Sequence, residues 1–435
     1  MSKEPTNRPA FSLIHGGLLE DSADSRKKFL SAYITDTRLM GVVGVYVHWL
    51  LPDNDIRNHF HQFFYFDAEE FGFDTYKSIL TTDDYDTEEF HEVEDSIIGG
   101  LGAKQIQLSE REVRYMVQEY VELNRRTNLE LPSGYDEYKF LLYPRMEMER
   151  TEEYVLMSKQ CPLLTSPNQV ITYFLMRCFA KDFGAAKFLT KNYVRTNIFP
   201  EHKAATLFKN TIDPAPGPDG SNTDYYATDD DQDFGSFQTH TSYMCESLIE
   251  YDKNFFLVIT QVTLDNLRVV KFEKISSFKI SMQEASMQLN RPEFITVFDF
   301  VEDAPAFIRT STELTQKAMI HDHEAGQLFM VFHPNNDHVS NDVYLLNDDV
   351  LGVYFYIPES GQVVLSSNTR TGIHTLELDF IRSSCIKHAV LVGRYQFEQP
   401  VLDEFLLSGF EDFEDFAMAI AQDMYDEPDP TDTPD

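Results

Sequence analysis

The chain has 435 residues, 42% of them apolar and 13% aromatic, with 72 acids against 36 bases and a formal charge of −36. That apolar share excludes a wholly disordered chain and supports a sizeable core, in one large domain or two. The charge argues against direct binding of nucleic acid or an anionic membrane, since both are polyanions.

The negative charge comes in blocks. Ser78 to Ala103, Asn210 to Asp252 and Tyr395 to Asp435 contain no Lys or Arg, and together hold 31 of the 72 acids. A segregated field belongs to surfaces and tails rather than to a fold. The N-terminus, Met1-Ser2-Lys3-Glu4-Pro5, has no apolar stretch of the signal-peptide kind. Leu39 to Leu51 is the most membrane-like run, but its 13 residues are too few for a bilayer. Cys161, Cys178, Cys245 and Cys385 form no C-x-x-C pair, so they read as reduced packing thiols. A cytoplasmic protein is expected.

Residues 1–26 read as a partly ordered lead-in. Val42 to Leu51 and Arg57 to Phe66 predict a hairpin, with turn chemistry at Pro52-Asp53-Asn54-Asp55. Asp83 to Asp95 reads as an acidic loop. Ser109-Glu110-Arg111-Glu112 is a capping box, and Val113, Met116, Val117, Tyr120 and Val121 follow at helical spacing. A second helix starts at Ser166-Pro167, with Ser as cap and Pro as first residue.

Asp213 to Phe234, rich in Pro, Gly and Asp, reads as a linker or exposed loop. The expected division is therefore an α+β region over 1–209, a linker over 210–236, a β-rich region over 237–409 and an acidic, aromatic tail over 410–435. Strands are predicted at Phe255 to Leu264, Leu267 to Phe272, Gln327 to His333, Val350 to Ile357, Gln362 to Ser367 and Ala389 to Tyr395. Helices are predicted at Pro400 to Ser408 and Glu411 to Gln422. Asp426 to Asp435 alternates Asp, Pro and Thr and is expected to be disordered. The fold class is α+β, with a mostly antiparallel second half.

Few motifs carry chemistry. His59-Phe60-His61 lies on a predicted strand, so both rings share a face, and His48 on the neighbouring strand is a candidate third ligand. A divalent metal is the cofactor these residues suit. The plainer reading is an aromatic strand in which histidine packs beside Phe63 and Tyr65. His321-Asp322-His323-Glu324, with His333 and His338, falls into two clusters flanking a strand about 20 Å long, too far apart for one ion. Asp-Phe-Gly occurs at 182–184 and 233–235 without the rest of a kinase apparatus. Gly99-Gly100-Leu101-Gly102-Ala103-Lys104 lacks the phosphate-loop spacing. Asp229, Asp231 and Asp233 begin like a calcium loop, but Gly235 is one place late and His240 stands where Glu belongs. No G-x-S-x-G is present.

Phe410-Glu411-Asp412-Phe413-Glu414-Asp415-Phe416 combines apolar anchors with steering carboxylates. Phe410, Phe413, Glu414, Asp415 and Phe416 are the candidate docking residues for a basic protein partner. The plainer reading packs the phenylalanines on their own domain and leaves the acids solvated. Two functions follow: a non-catalytic adaptor presenting acidic surfaces, and, as an alternative, a metal-dependent hydrolase on His48, His59 and His61.

Overall fold

A computed structural model describes residues 27–51, 58–69, 71–82, 88–101, 104–191, 194–197, 204–215, 240–300, 318–323, 326–333, 344–346, 349–382, 387 and 389–426. The expectations for residues 1–26, the turn at 52–55, Gly102-Ala103, the aspartates at 229–233 and the final nine residues lie outside them. The fold is α+β, and the chain divides into two compact units, Met1–Ile280 and Ser281–Asp435.

The first unit holds two antiparallel sheets. One has the order β4-β3-β2-β1-β5, from β1 (Lys28–Thr35), β2 (Val42–Leu50), β3 (His59–Asp67), β4 (Gly72–Thr81) and β5 (Gln105–Gln107). The middle of β2 is buried at seven consecutive residues, because both faces are covered and alternation disappears. On one face, α2 (Glu110–Thr127) lays Val113, Met116, Val117 and Tyr120 against Val43, Val45, Phe64 and Phe66. Its start is the expected capping box: Ser109 accepts from the Glu112 N–H, and the Glu112 carboxylate accepts from the Ser109 N–H at 2.7 Å.

The opposite face is covered by α1 (Glu88–Ile97), where a loop was expected. The acids concealed an amphipathic pattern: Phe90, Val93 and Ile97 recur at helical spacing and pack with Tyr46, Phe63 and Ile79.

The second sheet runs β6-β7-β8-β9: β6 (Thr206–Pro214), β7 (His240–Tyr251), β8 (Asn254–Asp265) and β9 (Val269–Ile280). β8 and β9 form the hairpin expected around Asp265-Asn266, and Asn266 takes the left-handed conformation at φ 48°. The helix capped by Ser166 is α5 (Pro167–Phe179), and its Phe174 meets Phe272 of β9 edge to face at 5.0 Å. Between them, α3 (Tyr135–Tyr138), α4 (Arg150–Gln160) and α6 (Phe183–Phe188) complete the unit's helices among the described residues.

The segment 210–236, expected as a linker or exposed loop, falls within the first compact unit. β6 and β7, on either side of it, are hydrogen-bonded neighbours from Thr206 opposite Glu250 to Pro214 opposite Tyr243. The boundary falls instead between Ile280 and Ser281. Composition marks a long connection; it does not reveal that the strands flanking it pair.

The second unit is a six-stranded antiparallel sheet, β11-β12-β13-β14-β10-β15. Its strands are β10 (Glu293–Phe300), β11 (Ala318–His323), β12 (Gly326–Phe332), β13 (Val350–Ile357), β14 (Gln362–Ser367) and β15 (Ala389–Phe397), with α7 (Met282–Leu289) before them. On one face α8 (Arg370–Arg382) packs Leu376 and Phe380 on Phe298, Tyr354 and Leu365. On the other, α9 (Leu402–Ser408) and α10 (Phe413–Asp426) pack Phe405, Phe413 and Phe416 on Ile295, Val297 and Val364. The expected turn at Glu359-Ser360-Gly361 joins β13 to β14, with Gly361 at φ 72°.

Candidate functional site: a histidine stack and an acidic face

β2 and β3 pair so that His48 stands directly opposite His61, and His59 opposite Leu50. Alternation along each strand puts Tyr46 and His48, and His59, His61 and Phe63, on the face that α1 covers. The three candidate ligands therefore meet. The His48 and His61 rings stack at 4.4 Å between centroids, 20° apart in plane; His48 to His59 is 5.1 Å and His59 to His61 is 6.4 Å. Phe90 of α1 closes over His61 edge-on at 5.0 Å.

The ring nitrogens are engaged within the cluster. His61 Nδ1 meets the Tyr46 hydroxyl at 2.8 Å and Nε2 meets the Thr81 hydroxyl at 2.9 Å. A neutral imidazole suits that setting, donating to one hydroxyl and accepting from the other. Burial, with His48 and His59 adding to it, pushes the His61 pKa down to about 3. His48 Nε2 and His59 Nδ1 face each other at 2.9 Å. The three rings form a stack, and among the described residues no three His, Cys, Asp or Glu side chains are placed to hold one metal ion. The second histidine group divides differently from expectation: His321 and His323 fall on strand β11 rather than in a loop, His333 follows β12, and His338 lies outside the described residues.

The second candidate is the segment 410–416. Phe413 is fully buried and Phe416 is 4% exposed, so both side chains belong to the unit's own core and are not available as docking anchors. The physical reason is helical spacing: residues three apart on α10 face the sheet together. Phe410, at 39% exposure, together with Glu414 and Asp415 remains on the outside. Asp412 caps α10, accepting from the Glu414 N–H at 2.8 Å and the Asp415 N–H at 3.2 Å. Glu411 and Glu359 are both exposed and lie close enough to share a proton. The hydrogen bond and the repulsion from Glu359 raise the Glu411 pKa. Acidic residues also reach solvent on α1, where Glu88, Glu92 and Asp95 are exposed.

Sequence reading missed a third polar centre. Arg38 grips Asp182 through two hydrogen bonds of 2.9 and 3.0 Å and donates to Gln160 at 3.0 Å. Asp182, in the Asp-Phe-Gly dismissed above, also caps α6 through the Ala185 N–H. Burial opposes both charges, yet each partner holds the other ionised: Asp182 sits below the usual carboxylate range and Arg38 above its ordinary value. Fully buried Arg177 pairs with Glu69, and its Nε and Nη1 have no partner among the described residues. Arg38 and Asp182 are 144 residues apart, and no local pattern signals such a pair.

Other candidates for chemistry are weaker. Cys161, Cys178 and Cys245 are buried, unpaired thiols, and burial raises all three, Cys245 to about 12, so none is a ready nucleophile. A cleft of about 340 Å³ lies by the starts of α2 and α4. Its polar side chains already serve structure: Ser109 and Glu112 in the capping box, Arg111 on Glu152 at 3.1 Å. No described helix is long and apolar enough to cross a membrane.

No protein-family model matches the chain, no curated protein matches its sequence and no solved structure matches its fold at a significant level.

Proposed function

We propose that this is a non-catalytic binding protein whose acidic surface on the second unit receives a basic protein partner. The observation that carries the reading is the Glu359–Glu411 pair. Two exposed carboxyls are held together by the β13–β14 turn and the approach to α10, and their repulsion, which a proton would relieve, raises the Glu411 pKa. A lysine or arginine from a partner relieves the same repulsion better, because it adds a counter-charge rather than removing a charge. Glu414 and Asp415 extend the patch, half-exposed Phe410 supplies an apolar contact, and no base follows Arg394 in the chain. Interaction through exposed charge is steep in salt and governs encounter more than final affinity.

Calorimetric titration with a lysine- and arginine-rich peptide tests this. Binding is expected at 50 mM salt, to fade by about 300 mM as the Debye length shrinks, and to weaken in the E359Q/E411Q double variant. Equal binding by that variant, or binding indifferent to salt, would sink the proposal.

The alternative, a metal-dependent hydrolase on His48, His59 and His61, draws support from the meeting of the three rings. It requires His61 to leave Tyr46 and Thr81 and turn a nitrogen toward the other two. Zinc-dependent ester hydrolysis abolished by His61→Ala is the result that reading needs.

A further inference from the structure

His61 uses its nitrogens as buried histidines usually do, on two hydroxyls. His48 does something different. Its Nε2 points at Nδ1 of His59, the diagonal neighbour on the next strand, across 2.9 Å. Two imidazole nitrogens at that separation share one proton between them. The same two nitrogens, both deprotonated, make a bidentate site for an ion that prefers imidazole.

The geometry is nearly that of a chelate. Metal–nitrogen bonds of about 2.0–2.1 Å at a near-tetrahedral angle put the two nitrogens about 3.3 Å apart. The pair must therefore open by about 0.4 Å, and the rings must turn so that both lone pairs converge on the ion. His59 is the ring positioned to turn, because it is half-buried at the start of β3, whereas His48 is 2% exposed and stacked on His61.

We propose that His48 Nε2 and His59 Nδ1 chelate a divalent transition-metal ion at the end of the first sheet. Imidazole selects ions of the zinc and copper type over magnesium and calcium, which prefer oxygen. Water fills the positions the two histidines leave. His61 stays with Tyr46 and Thr81, so neither a third histidine nor any catalysis is involved. Metal bound without hydrolysis supports this proposal while defeating the hydrolase reading.

Trp49 follows His48 on β2 and is the only tryptophan in the chain. Bound Cu²⁺ quenches nearby indole fluorescence, so the full-length protein carries its own reporter. Titration of metal-free protein with Cu²⁺ at pH 7.5 is expected to quench Trp49 saturably at one equivalent. Equilibrium dialysis against Zn²⁺, followed by elemental analysis, is expected to show one zinc tied to this site. Both signals should be lost in His59→Ala and in His59→Asn, and kept in His321→Ala, which removes one histidine of the chain's other His-x-His. Absence of saturable quenching in the unmodified protein overturns the proposal whatever the variants do. Retention of the zinc by both His59 variants overturns it as well.

Discussion

The first sheet of the N-terminal unit and the six-stranded sheet of the C-terminal unit are both antiparallel and both covered by helices on two faces, yet they bury different chemistry. The C-terminal sheet is clad in apolar side chains on each face, from Phe298, Tyr354 and Phe380 to Ile295, Phe405 and Phe413. Its most elaborate buried polar group, Glu293, is satisfied locally: it accepts from Ser366 and from the N–H groups of Val401 and Leu402, which begin α9. Among the described residues most of the unit's acids stay at the surface. The N-terminal unit takes polar groups inside, as a histidine stack, the Arg38–Asp182 pair and a buried arginine with two nitrogens unpartnered among the described residues. A core that includes charge depends on its pairings, because a buried ion without a partner costs far more than a lost apolar contact. The first unit should therefore be the one sensitive to single polar substitutions and to pH, and the second to loss of apolar volume.

The strongest test is Asp182→Ala. It leaves Arg38 without its main partner and α6 without its cap, and should cost about 3–5 kcal/mol. Urea denaturation followed by Trp49 fluorescence reads this directly, since Trp49 lies in the first unit. A loss under about 1 kcal/mol would mean that solvent, not Asp182, is stabilising Arg38.

Phe413→Ala is the matching change in the other unit. Filling a core position, the side chain is worth about 3–4 kcal/mol, read as a lower urea midpoint by circular dichroism. An exposed docking anchor would instead leave stability unchanged and weaken only partner binding.

Acidification separates the units next. His61 is protonated far more readily in the unfolded chain, near 6.5, than in the folded one, near 3. The unfolded state therefore binds the extra proton across that window. The stabilisation is fully present above about pH 6.5 and is lost as pH falls toward 3, by about 2–3 kcal/mol after allowing for solvent near the cluster. Denaturation midpoints at pH 7 and pH 4.5 measure it, and His61→Gln should flatten the difference.

Two smaller effects complete the contrast. Ser109→Ala removes both hydrogen bonds of the capping hydroxyl at the start of α2 and should cost about 1 kcal/mol. Glu411→Gln removes a like-charge repulsion at the surface, so the melting temperature should hold or rise slightly. A drop would mean that the Glu411 carboxylate has a stabilising partner.

Some of this was legible along the chain. Ser109 to Val121 combines a cap with a stripe of period 3.6, and Ser166-Pro167 marks a start; both depend on residues within a few positions of one another. The strands β2, β3, β13 and β14 were visible for the same reason. α1 was hidden because its five acids outnumber Phe90, Val93 and Ile97. At 210–236 composition left a linker and an exposed loop equally open, because the pairing of β6 with β7 is a contact across the segment, invisible to composition. Of the docking residues, the spacing of Phe413 and Phe416 already allowed a core role, but whether that face meets a sheet or a partner is not a local property.

Local order and charge bookkeeping come from the chain alone: helix starts, strand alternation, the blocks of acid and the pairing of His59 with His61 on one face all follow from backbone periods and side-chain type. Which faces are covered, which polar groups are buried and which rings touch came only from the folded chain. β2–β3 register brought His48 to within a hydrogen bond of His59, and the packing of α5 and α6 brought Asp182 to Arg38. Those outcomes depend on long-range registers and helix placements, which no window of neighbouring residues encodes.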